Sequence, residues 1–216
     1  MPRTKEQEQE RLRALFAYER GLYAAGAIVV AGVDEVGRGP LAGPVSVGAC
    51  VLDPQAEIPY LNDSKKLSEK RREEVAAMLR EQARAWRVAH VPAEVIDARG
   101  IMSALKQAMR EAVAGLPLAP DHILLDGLPL RLWPTEQAIV KGDGKIACIA
   151  AASVLAKVER DALMRAADLQ YPGYGFAHNK GYGTAEHSAA IRELGLTPLH
   201  RRSFCGEFVN PRLFPF

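Results

Sequence analysis

Three short apolar segments each lead into an acidic residue beside glycine, and this repeated pattern constrains the fold most strongly. The segments are AIVVAGV at residues 27–33, HILL at residues 122–125, and the apolar run before KGDG at residues 141–144. Such runs, bounded by glycine, predict short buried strands. An open α/β sheet gathers strand ends into one crevice, so we expect their carboxylates to converge. The acidic residues concerned are Asp34, Glu35, Asp126 and Asp143.

Converging carboxylates repel one another unless cations lie between them, and hard oxygen ligands suit Mg²⁺ or Mn²⁺. Taken singly, an aspartate at a strand end is more often a turn or capping residue. Asp34 and Glu35 are adjacent, and adjacent residues of a strand point to opposite faces. They share a site only if the strand ends or twists there, which Gly37 and Gly39 permit. The pattern indicates a candidate metal site, with ordinary turn residues as the alternative.

The remaining pattern predicts helices around a small sheet. Ser68 caps a charged helix, and residues 146–169 form a long helix whose first half is apolar enough to be buried. Residues 5–25 are typical of an exposed or loosely docked helix. Further predicted elements are strands at 44–52 and 86–91, helical material from 92 to about 114, and a last helix near 184–193.

Composition bounds the class of protein. The chain has 216 residues, 48% of them hydrophobic, which is enough for one substantial core. Its 28 basic and 26 acidic residues give a net charge of +2, so any nucleic-acid surface must be a local patch. The apolar stretches are too short to cross a bilayer, and the three cysteines are widely spaced and odd in number. We therefore expect a cytoplasmic protein with no membrane contact.

The loop GRGPLAG at residues 37–43 has two interpretations. Glycines after a strand also mark dinucleotide-binding folds, which would favour a nicotinamide-dependent oxidoreductase. Against this, the third glycine falls one place late, Pro40 interrupts the motif, and a strand follows where a helix is needed. The glycines instead permit close backbone approach to a ligand, with Arg38 as a planar donor to phosphate.

Two compact basic stretches, at residues 62–72 and 200–203, are candidate phosphate contacts. In the first, Lys65 and Lys66 are the residues we expect to bind substrate. A solvated face is the ordinary alternative for any charge run. Arg160, on the long helix, is expected at the surface unless that helix lines a substrate groove.

The segment VDEVGRGPLAGPV closely resembles ribonuclease HII, whose hallmark is an Asp-Glu pair running into a Gly-Arg-Gly loop. The resemblance continues in family order through NDSKKLS, LLDG, VKGDG, AAASVLAKVERD, GYGTAEH and HRRSF, over residues 28–204. Val36 and Gly183 stand where relatives often have alanine and proline. The resemblance implies a ribonuclease H-like α/β fold, in which helices flank a mixed central sheet and a helical C-terminal segment closes one side of the groove.

The resemblance also implies residue roles. The four acidic residues named above would be catalytic and would bind two Mg²⁺ or Mn²⁺ ions, about 4 Å apart, at the scissile phosphate. The family's ribonucleotide-sensing loop corresponds to Gly37, Arg38 and Gly39. Its junction-recognising tyrosine corresponds to Tyr182.

The implied activity is hydrolysis of the RNA strand of RNA/DNA hybrids and of single ribonucleotides embedded in duplex DNA, leaving 3′-hydroxyl and 5′-phosphate ends. The ribose 2′-hydroxyl would serve for recognition, since it distinguishes RNA from DNA. Removal of misincorporated ribonucleotides and RNA primers would be the cellular role. A non-catalytic hybrid-binding module is the alternative, which the four intact acidic residues disfavour.

The expected organisation is a monomer with three segments. These are an N-terminal accessory helix at 1–27, a ribonuclease H-like catalytic core at 28–170, and a C-terminal substrate-groove segment and tail at 171–216. The terminal RLFPF at residues 212–216 resembles short sliding-clamp-binding peptides, so a weak clamp contact is one expectation. Packing of this tail on its own domain is the favoured alternative.

Overall fold

A five-stranded mixed sheet forms the centre of the protein. The computed structural model describes residues 4–209, and its strands lie in the order β3-β2-β1-β4-β5. The strands are β1 (Val30–Val36), β2 (Val45–Val51), β3 (Ala85–Val91), β4 (His122–Asp126) and β5 (Glu136–Ile139). β2 is antiparallel to both β1 and β3, whereas β1, β4 and β5 are parallel. The predicted mixed sheet is confirmed.

Helices cover both faces of this sheet. They are α1 (Lys5–Ala24), α2 (Glu69–Gln82), α3 (Ala93–Arg99), α4 (Ile101–Ala114), α5 (Ala147–Gln170), α6 (Phe176–Asn179), α7 (Ala185–Leu194) and α8 (Gly206–Val209). One buried cluster packs α1, α2 and α5 on one face of the sheet. A second packs α3 and α4 on the other face. Single turns of 3₁₀ helix lie at Ser64–Lys66 and Gly142–Gly144.

Local capping determines where several helices begin. The Ser68 side chain accepts a hydrogen bond from the first turn of α2, as predicted, and Thr184 caps α7 in the same way. The helical region predicted from residue 92 to about 114 is two helices. Gly100 separates them because its φ of +78° is incompatible with a continuous right-handed helix.

The first helix is docked on the core, so the prediction of an exposed or loosely docked helix is wrong. Leu15 and Phe16 are buried, and Glu19 is only 2% exposed. The Glu19 carboxylate accepts a hydrogen bond of 2.9 Å from the backbone N–H of Cys148, in the first turn of α5. Most of α1 still faces solvent, which is why its sequence resembles that of an exposed helix. The division into three segments remains a prediction.

Helix α5 lies very close to the sheet. A Cβ atom at position 32 of β1 would lie 2.2 Å from the carbonyl carbon of Cys148, so only glycine permits this approach. Every residue from Ala147 to Ala156 is buried, as the apolar first half of the helix predicts. The close contact lets Ser153 of α5 reach Asp34 of β1.

The C-terminal segment packs on the second half of α5. A third buried cluster joins Met164 of α5 to Phe176 of α6, Ile191 of α7 and Ala42 of the glycine-rich loop. This cluster connects the loop after β1 to the C-terminal helices. Across residues 4–209, none of the helices has the length and apolar character needed to span a membrane.

Candidate active site

Two parallel neighbouring strands and a turn bring three aspartates together. Because β1 and β4 are parallel, Asp34 and Asp126 reach the same edge of the sheet. Asp143 lies in the turn Gly142–Gly144. One carboxylate oxygen from each of the three lies within 4.8 Å of the other two. Such a cluster of hard oxygen donors fits a divalent cation.

Asp143 lies in a turn and not at the strand end that the sequence predicts. β5 ends at Ile139, short of Asp143, so the strand does not run into the acidic residue. The backbone N–H of Gly142 donates to Asp126 Oδ1 at 2.6 Å and ties the turn to the end of β4. The turn, not the strand, therefore positions Asp143.

Burial and mutual repulsion disfavour the charged forms of these carboxyls. Asp34 is 4% exposed, and burial, with further contributions from Glu35 and Asp126, raises its pKa to about 8. A hydrogen bond from Ser153 opposes this shift. Burial also raises the pKa of Asp143, again helped by neighbouring carboxylates. A bound cation would relieve both penalties, because it favours the deprotonated forms.

Glu35 lies beside the three aspartates and outside their closest grouping. Its carboxylate pairs with Arg38 at 3.2 Å. Burial raises its pKa, and the charge of Asp126 raises it further, so the two groups interact. Of the four predicted acidic residues, the structure brings three into contact range of one another and places Glu35 at the margin.

The first basic stretch lies next to the aspartates. Lys65 Nζ is 3.4 Å from Asp143 Oδ2, and Lys66 pairs with Asp63 at 3.8 Å. The turn that carries both lysines is held by Ser64, whose hydroxyl is 2.9 Å from that of Ser153. The lysine side chains are 78% and 61% exposed, so their ammonium groups remain accessible to a phosphate.

A buried arginine that the sequence placed on a solvated face organises the glycine-rich loop. Arg201 is 0% exposed. Its guanidinium donates to the carbonyls of Gly37 at 2.6 Å, Arg38 at 2.9 Å and Gly43 at 2.9 Å. Burial, with the nearby charge of Arg160, lowers the pKa of Arg201 to about 10. The surface interpretation of this part of residues 200–203 is therefore wrong.

Arg160 is the second buried arginine at this loop, and its predicted surface position is also wrong. It donates to the carbonyls of Pro44 at 2.9 Å, Lys180 at 2.9 Å and Ala42 at 3.2 Å. One signal was available in the sequence. Arg160 lies four residues from both Ala156 and Met164, which share its face of the helix, and that face is apolar.

The candidate loop residues differ in exposure. Gly37 has a φ of +86°, a conformation that favours glycine. The space where Gly39 would carry a side chain is open among the described residues. The Arg38 side chain is half-exposed beside Glu35. Thus the loop presents Arg38 and Gly39 outwards, while Arg201 holds its carbonyls from within.

Tyr182 lies in a second loop that is joined to the first. The carbonyl of Gly181 accepts hydrogen bonds from the backbone N–H groups of Leu41 at 2.8 Å and Ala42 at 3.2 Å. Tyr182 itself is 43% exposed. A core-filling role would require burial, so the exposed ring is available for contact with a ligand.

Comparisons with known proteins agree with this architecture. The family model for ribonuclease HII matches residues 31–207. A ribonuclease HII from Moorella thermoacetica is 50% identical over 198 residues, covering 91% of this chain and 96% of its own. The ribonuclease H2 of Pyrococcus horikoshii OT3 superposes with a TM-score of 0.74 at 26% identity, covering 87% of this chain and all of its own.

Another solved structure, the PCNA:RNase HII complex from Archaeoglobus fulgidus, matches with a TM-score of 0.68 at 28% identity. That match covers 81% of this chain and 94% of the other. The fold and the acidic site define an endonuclease of the ribonuclease H-like class. The chain belongs to the ribonuclease HII family. The family assignment is confirmed, and neither the oxidoreductase nor the non-catalytic alternative is retained.

Proposed function

We propose that this protein is an endoribonuclease that cleaves the RNA strand of RNA/DNA hybrids and single ribonucleotides embedded in duplex DNA. Family membership supports ribonuclease H activity. The single observation that carries the proposal is the cluster of Asp34, Asp126 and Asp143 within 4.8 Å. The accessible glycine loop follows the Asp34–Glu35 pair in the chain, and the loop that carries the exposed Tyr182 ring is bonded to it.

The three clustered aspartates, with Glu35 at their margin, would hold two Mg²⁺ or Mn²⁺ ions. When bound, such ions activate water and neutralise charge on the leaving oxygen, which yields 3′-hydroxyl and 5′-phosphate ends. The protein's own part is to hold the carboxylates rigidly. Gly142 orients Asp126, and Ser153 orients Asp34. Lys65 would neutralise phosphate charge beside Asp143.

The glycine loop would recognise the ribose through its N–H groups. Arg201 already occupies the carbonyls of Gly37 and Arg38. In a trans peptide the N–H points away from the carbonyl, so the N–H groups of Arg38 and Gly39 face away from Arg201. Because of this orientation, both N–H groups can donate to a 2′-hydroxyl, the group that distinguishes RNA from DNA.

Tyr182 would contact the DNA side of the ribonucleotide junction. Its ring is exposed, and its loop is bonded to the glycine loop, so the two recognition elements have a set separation. Lys66 would contact the backbone phosphates alongside Lys65. These assignments extend the site from the acidic cluster to the C-terminal segment, residues 171–216, that we propose as part of the substrate groove.

We further infer roles in ribonucleotide excision and RNA primer removal, by a monomer acting in the cytoplasm. The division into an accessory helix at 1–27, a catalytic core at 28–170 and a C-terminal segment is part of this proposal. The Archaeoglobus fulgidus relative is in complex with PCNA. A weak sliding-clamp contact through residues 212–216 is the corresponding proposal here, and those residues lie outside the described part of the chain.

A duplex that contains one ribonucleotide tests the proposed activity directly. The full chain is incubated with the duplex and Mg²⁺ or Mn²⁺, with chelator as the control, and the product ends are mapped. We expect metal-dependent cleavage at the ribonucleotide, leaving a 5′-phosphate. Cleavage that survives chelation, or that leaves a 2′,3′-cyclic phosphate, would overturn the mechanism, since the 2′-hydroxyl would then be the nucleophile.

A further inference from the structure

Two histidines behind the Tyr182 loop form a buried pair that the proposed reaction does not use. His187 of α7 is 0% exposed and His200 is 2% exposed. Their Nε2 atoms lie 3.1 Å apart. The rings of Tyr174 and Phe176 surround them, with ring centroids between 5.2 and 6.5 Å away. The pair is therefore shielded from water.

The partners of this pair determine which nitrogen carries each proton. The backbone N–H of Thr197 donates to His200 Nδ1 at 2.9 Å, so the proton of His200 is on Nε2. That N–H donates to His187 Nε2, which leaves the proton of His187 on Nδ1. His187 Nδ1 then donates to the carbonyl of Tyr182 at 2.9 Å. The chain of hydrogen bonds runs in one direction, from Thr197 to Tyr182.

Tyr182 is held on its backbone while its ring stays exposed. Its carbonyl also accepts the N–H of Thr184 at 2.8 Å, and its own N–H donates to the carbonyl of Asn179 at 2.9 Å. Both the donor and the acceptor of this residue are therefore engaged. His187 supplies the one side-chain contact in this set, so it is the contact that a substitution can remove without altering the backbone chain.

The pair is built to remain neutral. Burial, with the neighbouring ring of His187, lowers the pKa of His200 to about 4, and burial also lowers the pKa of His187. The titratable residues that contact the pair are Tyr174, whose ring lies against both histidines, and Tyr182, whose carbonyl accepts from His187. Both shifts favour the neutral rings that the chain of hydrogen bonds requires.

We infer that His187 is a positioning residue that sets the preference for ribonucleotide–DNA junctions by holding Tyr182 in place, and that His200 fixes the tautomer His187 needs for that bond. This inference rests on the proposed function, in which Tyr182 contacts the junction. The glycine loop and the acidic cluster have their own supports in Arg201 and Gly142. Loss of the histidine contact should therefore weaken cleavage at single ribonucleotides far more than cleavage of long hybrids.

Two substitutions of His187 separate its two hydrogen bonds. The asparagine amide nitrogen takes the place of Nδ1, so His187→Asn keeps the bond to the Tyr182 carbonyl. The glutamine amide reaches the place of Nε2, so His187→Gln keeps the contact with His200 and loses Tyr182. The measurement is the ratio of kcat/KM on a single-ribonucleotide duplex to kcat/KM on a long hybrid, with melting temperature as the check on folding.

We expect His187→Gln to lower this ratio about tenfold, at the lower end of what loss of one aromatic stack would cause. His187→Asn should keep the ratio within about twofold of the wild type, because it keeps the hydrogen bond to the Tyr182 carbonyl. If the two variants have the same ratio, or if the ratio follows melting temperature, the pair has only a structural role. Either result would overturn the inference.

Tyr182→Ala is the reference variant that distinguishes failure of the positioning inference from failure of the proposed junction contact. If Tyr182→Ala lowers the ratio and His187→Gln does not, the positioning inference fails and the proposed junction contact stands. If Tyr182→Ala leaves the ratio unchanged, the junction contact itself fails. The wild-type protein offers a test that needs no variant: at pH 8, ¹⁵N NMR of the imidazoles should find an Nδ1–H ring for His187 and an Nε2–H ring for His200. Identical tautomers would overturn the inference.

Discussion

Two regions of this protein bury charge, and they treat it in opposite ways. In the acidic cluster, Asp34, Asp126 and Asp143 face one another within 4.8 Å. At the base of the glycine loop, each of the guanidinium groups of Arg160 and Arg201 donates to three backbone carbonyls. The first region concentrates like charge. The second distributes its charge over neutral acceptors.

The difference separates chemistry from architecture. A buried carboxylate surrounded by other carboxylates is stabilised by a partner from outside, and a divalent cation is the partner its oxygen atoms suit. A buried guanidinium whose N–H groups are engaged needs no further ligand. We therefore expect substitutions in the acidic cluster to remove activity and spare the fold, and substitutions of the arginines to destabilise the fold.

The largest effect should come from Asp126→Asn. The change removes a metal-neutralising charge at nearly constant volume, so turnover should fall by about a thousandfold or more. The melting temperature should stay the same or rise, because repulsion within the cluster is reduced. Single-turnover cleavage and thermal denaturation measure the two properties. The matched control is Asp168→Asn, the same change on the far end of α5, and wild-type-like turnover by Asp126→Asn would refute the metal-site assignment.

Arg201→Leu, unlike Asp126→Asn, should cause a large loss of stability. The substitution leaves three buried carbonyls without their donor, which should cost about 3 kcal/mol or more. Denaturant unfolding measures the change. Arg202→Leu alters the neighbouring exposed side chain and should stay within about 0.5 kcal/mol. Equal effects from the two changes would mean that the buried guanidinium contributes nothing to holding the loop.

Glu19 is a buried carboxylate that lies outside the acidic cluster. Burial raises its pKa from 4.5 to about 7. Its folded-state pKa is therefore the higher one, so its full contribution to stability is present below about pH 4.5 and is lost as the pH rises through 7. The loss amounts to about 3 kcal/mol at most.

Glu19→Gln should remove that pH dependence, since glutamine does not ionise. We expect the variant to gain stability over the wild type at pH 8.5, with little difference at pH 5, as measured by denaturant unfolding at each pH. Glu10→Gln, on the exposed face of the same helix, is the control. A constant difference between Glu19→Gln and the wild type at both pH values would contradict the assignment.

The smallest effect concerns the exposed lysines beside the cluster. Lys65→Ala combined with Lys66→Ala should reduce the salt slope of hybrid binding by about one to two, because each phosphate contact contributes about 0.9. Binding titrations over a range of salt concentrations measure it. The control pair is Arg84→Ala with Arg87→Ala. These residues lie at the start of β3, at the end of the sheet opposite the acidic cluster. An unchanged slope in the lysine variant would return both lysines to an ordinary solvated face.

Much of the acidic cluster could be predicted from the sequence, because strand ends and glycines are local signals. The apolar run ending at Asp126 marked where β4 stops, whereas β1 continues through Val36, so Asp34 lies inside its strand and the predicted strand end there is wrong. Parallel pairing of β1 with β4 brings the two aspartates together. Asp143 was expected at a strand end and lies in a turn, because the bond from Gly142 to Asp126 decides that path. Glu35 was expected with the aspartates, and in the structure its carboxylate pairs with Arg38, three residues along the chain, at the margin of the cluster.

By itself, the sequence determined the family, the mixed sheet, the helix cap at Ser68, and four candidate acidic residues, of which three meet in the structure. Only the tertiary structure decided the supports behind them. The Arg201 donors and the Glu19 acceptor pair with backbone groups 158 to 164 and 129 residues away in the chain. Backbone carbonyls and N–H groups are identical at nearly every residue, so a side chain that binds them leaves no partner to find in the sequence. Whether a charged residue is buried therefore depends on which backbone groups the folded chain brings to it.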